Sequence, residues 1–312
     1  MIYYIAVDIG GTRLRAARYP LEGLTADEVT RIHTKHKTEK PLERLINLLS
    51  DVWPEDGLVK AISVAVPGPT DPYRGVIIDA PNIPGWENLP LQQILEDRFQ
   101  TPVALVNDAN AAALGEWRYG AGQGHHDMLY LTISTGIGSG IIVNDRLLLG
   151  AHGLAGELGH TTILVNGPTC GCGQAGHLEA LASGTAMLRW VEEQLTRGAI
   201  SSLPKDEPLT GKMINRAAEA GDELSIQALS RAGTYIGIAI ASFLQIFNPT
   251  VVVIGGGVSQ SGDLLMVPLR HALEEHAMAP QYLDNLTITR ALFGDEAGLV
   301  GALTLARELY PD

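Results

Sequence analysis

Two stretches of this chain share one plan, and a chain that repeats such a plan has few ways to fold. Ile2–Ile9 is a β-rich run, Gly10-Gly11-Thr12 permits a tight turn, and Leu14–Tyr19 can return as the second strand of a hairpin. Met128–Ser134 and Gly138–Val143 are again strand-like, and Thr135-Gly136-Ile137 joins them. A glycine turn in a hairpin is by itself usually only a turn. Two of them, at the heads of two α/β segments, imply two related halves. Their backbone N–H groups and hydroxyls can cradle the phosphates of one nucleotide between them. Asp8, at the end of the first strand, is placed to hold Mg²⁺ through water. Neither turn is a Walker A loop or a GxGxxG dinucleotide turn.

Between the hairpins the chain alternates helix and strand. Pro41–Trp53 carries Leu42, Leu45, Ile46 and Leu49 at helical spacing. Lys60–Val66 reads as a buried strand ending in Pro67-Gly68-Pro69, and Val76–Ile78 as a short strand leading into Ala80-Pro81-Asn82-Ile83-Pro84-Gly85-Trp86. That loop is stiff; it is either a connector with Trp86 tucked into the core or a binding loop, with Asn82 able to donate to and accept from a hydroxyl. Leu89–Asp97 reads as a helix, and Val103–Val106 as a strand running into Asn107-Asp108-Ala109-Asn110 and a helix over Ala111–Tyr119. Asp108 can cap that helix, or it can serve as a general base that the helix N-terminus keeps ionised. Gly120–Asp127 is the expected boundary. It separates an N-terminal domain, 1–119 joined by a closing helix over 295–312, from a larger one over 120–294.

Both cysteines of the chain, Cys170 and Cys172, lie in the stretch Glu157–Glu179, flanked by His160 and His177. Two thiols and two imidazoles are the donor set of a closed tetrahedral zinc site, and four glycines make the stretch a compact knuckle. The spacing is Cys-x-Cys rather than the common Cys-x-x-Cys, so two buried free thiols and two surface histidines remain the alternative. Beyond it, Ala180–Leu195, Gly211–Ala220 and a long apolar stretch, Glu223–Phe247, read as helices. Val251–Ile254 is a strand followed by Gly255-Gly256-Gly257, where backbone can approach a flat ligand. Leu264–His276 and Asp295–Leu309 read as helices and Leu286–Ala291 as a strand, with Gly298 and Gly301 allowing close packing of the last helix.

The 312 residues suffice for two domains, and a net charge of −13 without a basic run makes nucleic acid and anionic membrane poor partners. Two cysteines form no disulfide framework, the N-terminus lacks a basic leader, and no apolar run is long enough to span a bilayer, so a cytoplasmic protein is expected.

These motifs resemble the ROK family of sugar kinases and regulators. Glu157-Leu158-Gly159-His160 matches its Glu-x-Gly-His element, and Cys170-Gly171-Cys172-Gly173-Gln174-Ala175-Gly176-His177-Leu178-Glu179 its cysteine element, with His177 where a third cysteine is usual. The resemblance runs from Ile5 to about Ala302. It implies a two-domain α/β actin/hexokinase-like (ribonuclease H-like) ATPase fold with a hinged cleft, and transfer of phosphate from ATP with Mg²⁺ to a hexose 6-hydroxyl. Asp108 becomes the catalytic base. Gly68, Asn82, Asn107, Asp108, Glu157, His160 and Glu179 ring the sugar. Asp8, Gly10, Gly11, Thr12 and Arg13 (where the family usually has lysine), with Ser134, Thr135, Gly136 and Gly138, hold the phosphates, and Gly255, Gly256 and Gly257 the adenosine. His160, Cys170, Cys172 and His177 hold a structural Zn²⁺, with His160 meeting metal through one ring nitrogen and sugar through the other.

Gly159-His160-Thr161-Thr162, with Gly184 after Leu181-Ala182-Ser183, looks most like the family's bacterial glucokinases, so glucose is the expected sugar. N-acetylhexosamines, mannose and fructose are alternatives. A homo-oligomer, dimer or tetramer, is expected. The family's regulators carry a helix-turn-helix before the first phosphate loop, and Asp8 lies so close to Met1 that none is expected here. A binding module without catalysis would be expected to lose Asp108 or the glycine turns.

Overall fold

The structure is a computed structural model and describes residues Met1–Pro311. It divides into two compact units. One comprises Met1–His126, Gly140–Gly156 and the chain from Ala291 onward; the other comprises Asp127–Ser139 and Glu157–Arg290. The sequence alone assigns 140–156 to the larger domain. Here that segment packs within the first unit: a Cβ on Gly153 would lie 2.1 Å from Pro72, and Tyr73 donates to the Gly150 carbonyl at 2.9 Å.

The first unit is built on a five-stranded sheet. β1 (Ile2–Ile9) pairs antiparallel with β2 (Arg13–Pro20), which pairs with an edge strand β3 (Glu28–His33) that the sequence reading did not contain. After α1 (Pro41–Asp51), β4 (Leu58–Val66) lies parallel to β1. A small sheet of β5 (Thr70–Asp71), β6 (Val76–Asp79) and β7 (Glu87–Leu89) follows, then α2 (Leu91–Phe99). β8 (Val103–Asn107) pairs parallel with β4, and α3 (Asp108–Tyr119) leaves its end. Side chains alternate along β1. Ile5, Val7 and Ile9 pack with Leu45, Leu48 and Leu49 of α1, whereas Tyr4 and Ala6 pack with the final helix α9 (Ala297–Leu309) through Leu299, Ala302 and Leu303. Asp8 continues the Tyr4–Ala6 series, and a Cβ on Gly298 would lie 2.7 Å from its carboxylate. Of the two glycines expected to admit a helix, Gly301 does so, since its Cβ would fall 1.7 Å from the Ala111 carbonyl of α3. Gly298 instead makes room for Asp8. Buried Glu116 accepts from the N–H groups of Ala121, Leu292 and Phe293, tying the segments where the chain leaves and re-enters this unit.

The second unit starts with β9 (Met128–Ile133), and β10 (Ile137–Val143) enters it with its first residues before pairing its far end with β11 (Arg146–Leu147). The sheet order is β11-β10-β9-β12-β13, where β12 (Val251–Gly255) and β13 (Thr287–Arg290) are parallel to β9. The helix expected over Ala180–Leu195 is two helices, α4 (Leu178–Ala182) and α5 (Gly184–Thr196). Ser183 between them is extended and caps α5, accepting from the Ala186 N–H. α6 (Gly211–Glu219) and α7 (Glu223–Phe247) follow, with α7 mostly buried as its composition requires. It crosses α8 (Asp263–His276) at Gly233 and Gly237, where a Cβ would lie 2.4 and 2.2 Å from carbonyl oxygens of α8. Among the described residues no helix is long and apolar enough to cross a membrane.

Candidate active site

The C-terminal ends of the parallel strands in the first unit gather polar residues, because the register aligns Asp8 with Ala65 and Val66 with Asn107. The cap of α3 is Asn107, not Asp108: Asn107 Oδ1 accepts from the N–H groups of Ala109 and Asn110 at 2.9 and 3.2 Å. Its Nδ2 donates to the Gly68 carbonyl at 3.2 Å, which fixes the Pro-Gly loop to the start of the helix. Gly68 has φ +82°, and a Cβ there would lie 2.4 Å from the Asp79 carbonyl, so the loop accepts only glycine. With the cap supplied next door, Asp108 is exposed at the first helical position, in the positive field of the helix end. Trp86 and Ile83 are buried and Asn82 is exposed, so the proline-rich loop has an anchored base and presents a polar amide.

The first turn is closed by Gly10 N–H donating to the Arg13 carbonyl at 2.8 Å. Thr34, fully buried after β3, braces it from both sides: its hydroxyl donates to the Gly10 carbonyl at 2.6 Å, and its N–H to the Thr12 carbonyl at 2.9 Å. Gly11 packs against Asn82, whose Cβ lies 2.9 Å from where a Gly11 Cβ would stand. Thr12 and Arg13 are exposed. Arg15 donates to Asp8 Oδ2, and Glu296 accepts from Arg31 at 2.6 Å and from Arg15 at 3.5 Å. Burial raises the Asp8 pKa despite the opposing pull of Arg15. Thr34 and Arg15 escaped sequence reasoning; Thr34 carries no local signal, and Arg15 reads only as an alternate residue on a strand.

The second turn is held from three sides. Ser134 N–H donates to the Gly136 carbonyl at 2.9 Å. The start of α5 grips it, with Gly184 N–H on the Ser134 carbonyl at 2.7 Å and the Thr185 hydroxyl on the Thr135 carbonyl at 2.9 Å. Glu179 Oε2 accepts from Ile137 N–H at 3.0 Å. The glycines after β12 pack beneath: a Cβ on Gly255 would meet the Tyr130 hydroxyl at 2.6 Å, and on Gly256, at φ +82°, the Ile133 carbonyl at 2.3 Å. Gly257 is exposed, and Gly138 lies half-buried in β10. The helix break at Ser183 is what lets Gly184 and Thr185 reach the turn; the Ala-Ser-Gly sequence was its only signal.

His160, Cys170, Cys172 and His177 place their ligand atoms within 4.8 Å of one another. Cys172 Sγ lies 3.3 Å from His177 Nδ1, and Cys170 Sγ 3.6 Å from His160 Nδ1. The knuckle is shaped by Cys170 N–H on the Gln174 carbonyl and by Gly173 and Gly176 at positive φ. Glu157 precedes the three-residue helical turn Leu158–His160, and burial raises the Glu157 pKa, against His160 and with Glu179. Thus Glu157, His160 and Glu179 share one neighbourhood with the four metal-type donors.

The chain matches the ROK family over residues 4–309. It is 34% identical to the glucokinase of Thermotoga maritima, covering 97% of both chains. It is 32% identical to the xylose repressor of Caldicellulosiruptor bescii, covering 96% of this chain and 77% of the repressor. Among solved structures, the ROK family glucokinase from Streptomyces griseus in complex with glucose and AMPPNP superposes with a TM-score of 0.82 at 33% identity, covering 98% of this chain and 99% of that one.

Proposed function

Because this chain belongs to the ROK family, we infer that it is an ATP-dependent hexokinase-type phosphotransferase that converts glucose to glucose 6-phosphate. The observation that carries the catalytic assignment is the division of labour at the start of α3. Asn107 caps the helix, and Asp108 is exposed beside it with Oδ1 accepting from the Ala109 N–H at 2.8 Å, at a helix N-terminus whose field favours the carboxylate form a base needs. Asp108 orients the 6-hydroxyl and accepts its proton as the oxygen bonds to the γ-phosphorus; ADP leaves with the electron pair of the broken bond. Glu157, His160 and Glu179 bind sugar hydroxyls, as do Asn82 and the Gly68 loop.

The nucleotide arrives as its magnesium complex, and its phosphates meet the N–H groups and hydroxyls of the two turns. Arg13 adds positive charge, and Asp8, whose Oδ2 accepts from Arg15, would hold the magnesium through water. Gly255, Gly256 and Gly257 face the adenosine. The donor types fit zinc: a tetrahedral site with Zn–S near 2.3 Å and Zn–N near 2.0 Å brings ligand atoms to roughly 3.3–3.8 Å apart; the Cys172–His177 and Cys170–His160 pairs stand at 3.3 and 3.6 Å, and all four donors lie within 4.8 Å of one another. Bound zinc would supply cross-linking of the loop, not chemistry. His160 would offer Nδ1 to it and keep Nε2 for the sugar. A thiolate pair of this kind suits a reducing cytoplasm.

Phosphorus NMR of the product tests the reading. A glucose 6-phosphate signal that appears with wild type and is lost with Asp108→Asn is expected. A phosphate on another oxygen, or an N-acetylhexosamine phosphorylated in preference, would overturn the regiochemistry or the choice of sugar.

A further inference from the structure

Glu179 is read above as a sugar ligand, yet the structure already commits its carboxylate. Oε2 accepts from the N–H of Ile137, 42 residues away, at 3.0 Å, and Oε1 accepts from Cys170 Sγ at 3.3 Å. Gly136 lies flat against the same group: a Cβ there would stand 2.4 Å from Oε2. One half-buried side chain therefore joins the second turn to the cysteine knuckle.

The turn's other polar groups show what this contact does. The carbonyls of Ser134, Thr135 and Gly136 are taken by Gly184, Thr185 and Ser134, and Glu179 takes the N–H of Ile137. Among the described residues, no bond occupies the N–H groups of Thr135 and Gly136, and these are the donors that remain for a phosphate. Losing the Ile137 anchor lets the peptide after Gly136 rotate and disperses that pair of donors.

We propose that Glu179 is a positioning residue for the nucleotide's phosphates as well as a sugar ligand, and that it couples the two subsites. The proposal rests on the kinase reading above. Oε2 sets the turn. Oε1 faces the knuckle; once zinc holds Cys170 as a thiolate that sulfur no longer donates to it, and a sugar hydroxyl donating there fixes the same side chain. Sugar thereby raises nucleotide affinity, and by linkage nucleotide raises sugar affinity equally.

Hydrogen bonding and charge make opposite forecasts. If the carboxylate acted only as a negative charge near phosphate, its removal would tighten nucleotide binding. If it acts as the acceptor for Ile137, Glu179→Ala weakens binding, while Glu179→Gln, whose amide oxygen can accept the same N–H, preserves it. Gly136→Ala is the cleaner probe. Its methyl displaces only the flexible carboxylate tip and leaves the chemistry of Glu179 intact.

The experiment is calorimetric titration of the purified, metal-containing protein with magnesium AMPPNP, with and without glucose. Without glucose, Glu179→Ala and Gly136→Ala are expected to bind the analogue about tenfold more weakly than wild type, and Glu179→Gln within about threefold of it. Glucose should strengthen analogue binding in wild type and not in Gly136→Ala. Unchanged or tighter binding by both alanine variants overturns the proposal, as does full retention of the glucose effect in Gly136→Ala. Should Glu179→Ala not fold, Gly136→Ala decides alone. Wild type lacking glucose-dependent ADP release would instead refute the kinase reading, an outcome distinct from turnover in wild type with unmoved variant affinities.

Discussion

The two glycine turns look alike in sequence and are supported in different ways. The first is closed on itself and braced by a neutral threonine, Thr34, through one hydroxyl and one N–H. The second is gripped by the start of α5 and by a carboxylate, Glu179, that also touches the metal-type knuckle. A hydrogen bond to an ionised partner is worth about 1.5–3 kcal/mol and a neutral one about 0.5–1.5 kcal/mol. The second turn should therefore answer to sugar and metal, and the first should be a fixed fitting that answers to neither.

The largest effect belongs to chemistry that neither brace supplies. Asp108→Asn is expected to keep sugar binding and to lose at least about 10²-fold in turnover. Unchanged turnover would take the base away from Asp108 and leave the two turns as a binding device only. Next comes metal removal. Metal analysis should find about one zinc per chain, fitting four protein ligands and no open position. Stripping it should speed amide hydrogen exchange at Ile137 and lower the melting temperature, while Gly10 exchanges as before. Equal acceleration at both turns would erase the difference between them.

Thr34→Val tests the other side of the comparison. It removes the hydroxyl from the Gly10 carbonyl in a fully buried position and should cost about 1–3 kcal/mol of stability, with a several-fold higher KM for ATP and an unchanged KM for glucose. A matching rise in the glucose KM would mean that the first turn is coupled as well.

The smallest expected effect on activity is at the start of α7. Asp222 caps α7, and its carboxylate takes hydrogen bonds from Ser202, Ser225 and Ser201. Burial alone would raise its pKa, but these bonds outweigh burial and hold it down to about 2, against 3.8 unperturbed. A folded-state value below the unfolded one means that the stabilisation is complete above about pH 4 and is lost as pH falls toward 2. Asp222→Ala should cost about 0.5–2 kcal/mol at neutral pH and flatten the acid limb of stability measured by urea unfolding, with kcat unchanged.

What could be read in the sequence is what lies close along the chain. Glycine turns, β-branched runs, the amphipathic spacing of α1 and the length of α7 each announce themselves within a dozen residues. The donors of the knuckle are likewise local. The supports are not: Thr34 is 24 residues from Gly10, and Glu179 is 42 residues from Ile137. No period or propensity marks such a pair, because only the folded sheet brings its members together. Asn107 is the local exception: its cap bonds reach only Ala109 and Asn110, yet local reasoning weighs the cap at Asp108 instead. The composition over 180–195 is helical throughout, yet a single serine with the following glycine divides it into two helices. β3 was missed because its exposed edge carries little hydrophobic pattern.

The most direct test is a coupled ADP-release assay of the purified protein with ATP, run across glucose, mannose, fructose, N-acetylglucosamine and N-acetylmannosamine. Sugar-dependent release with the highest kcat/KM on glucose is the predicted result. Release that no sugar stimulates would contradict it.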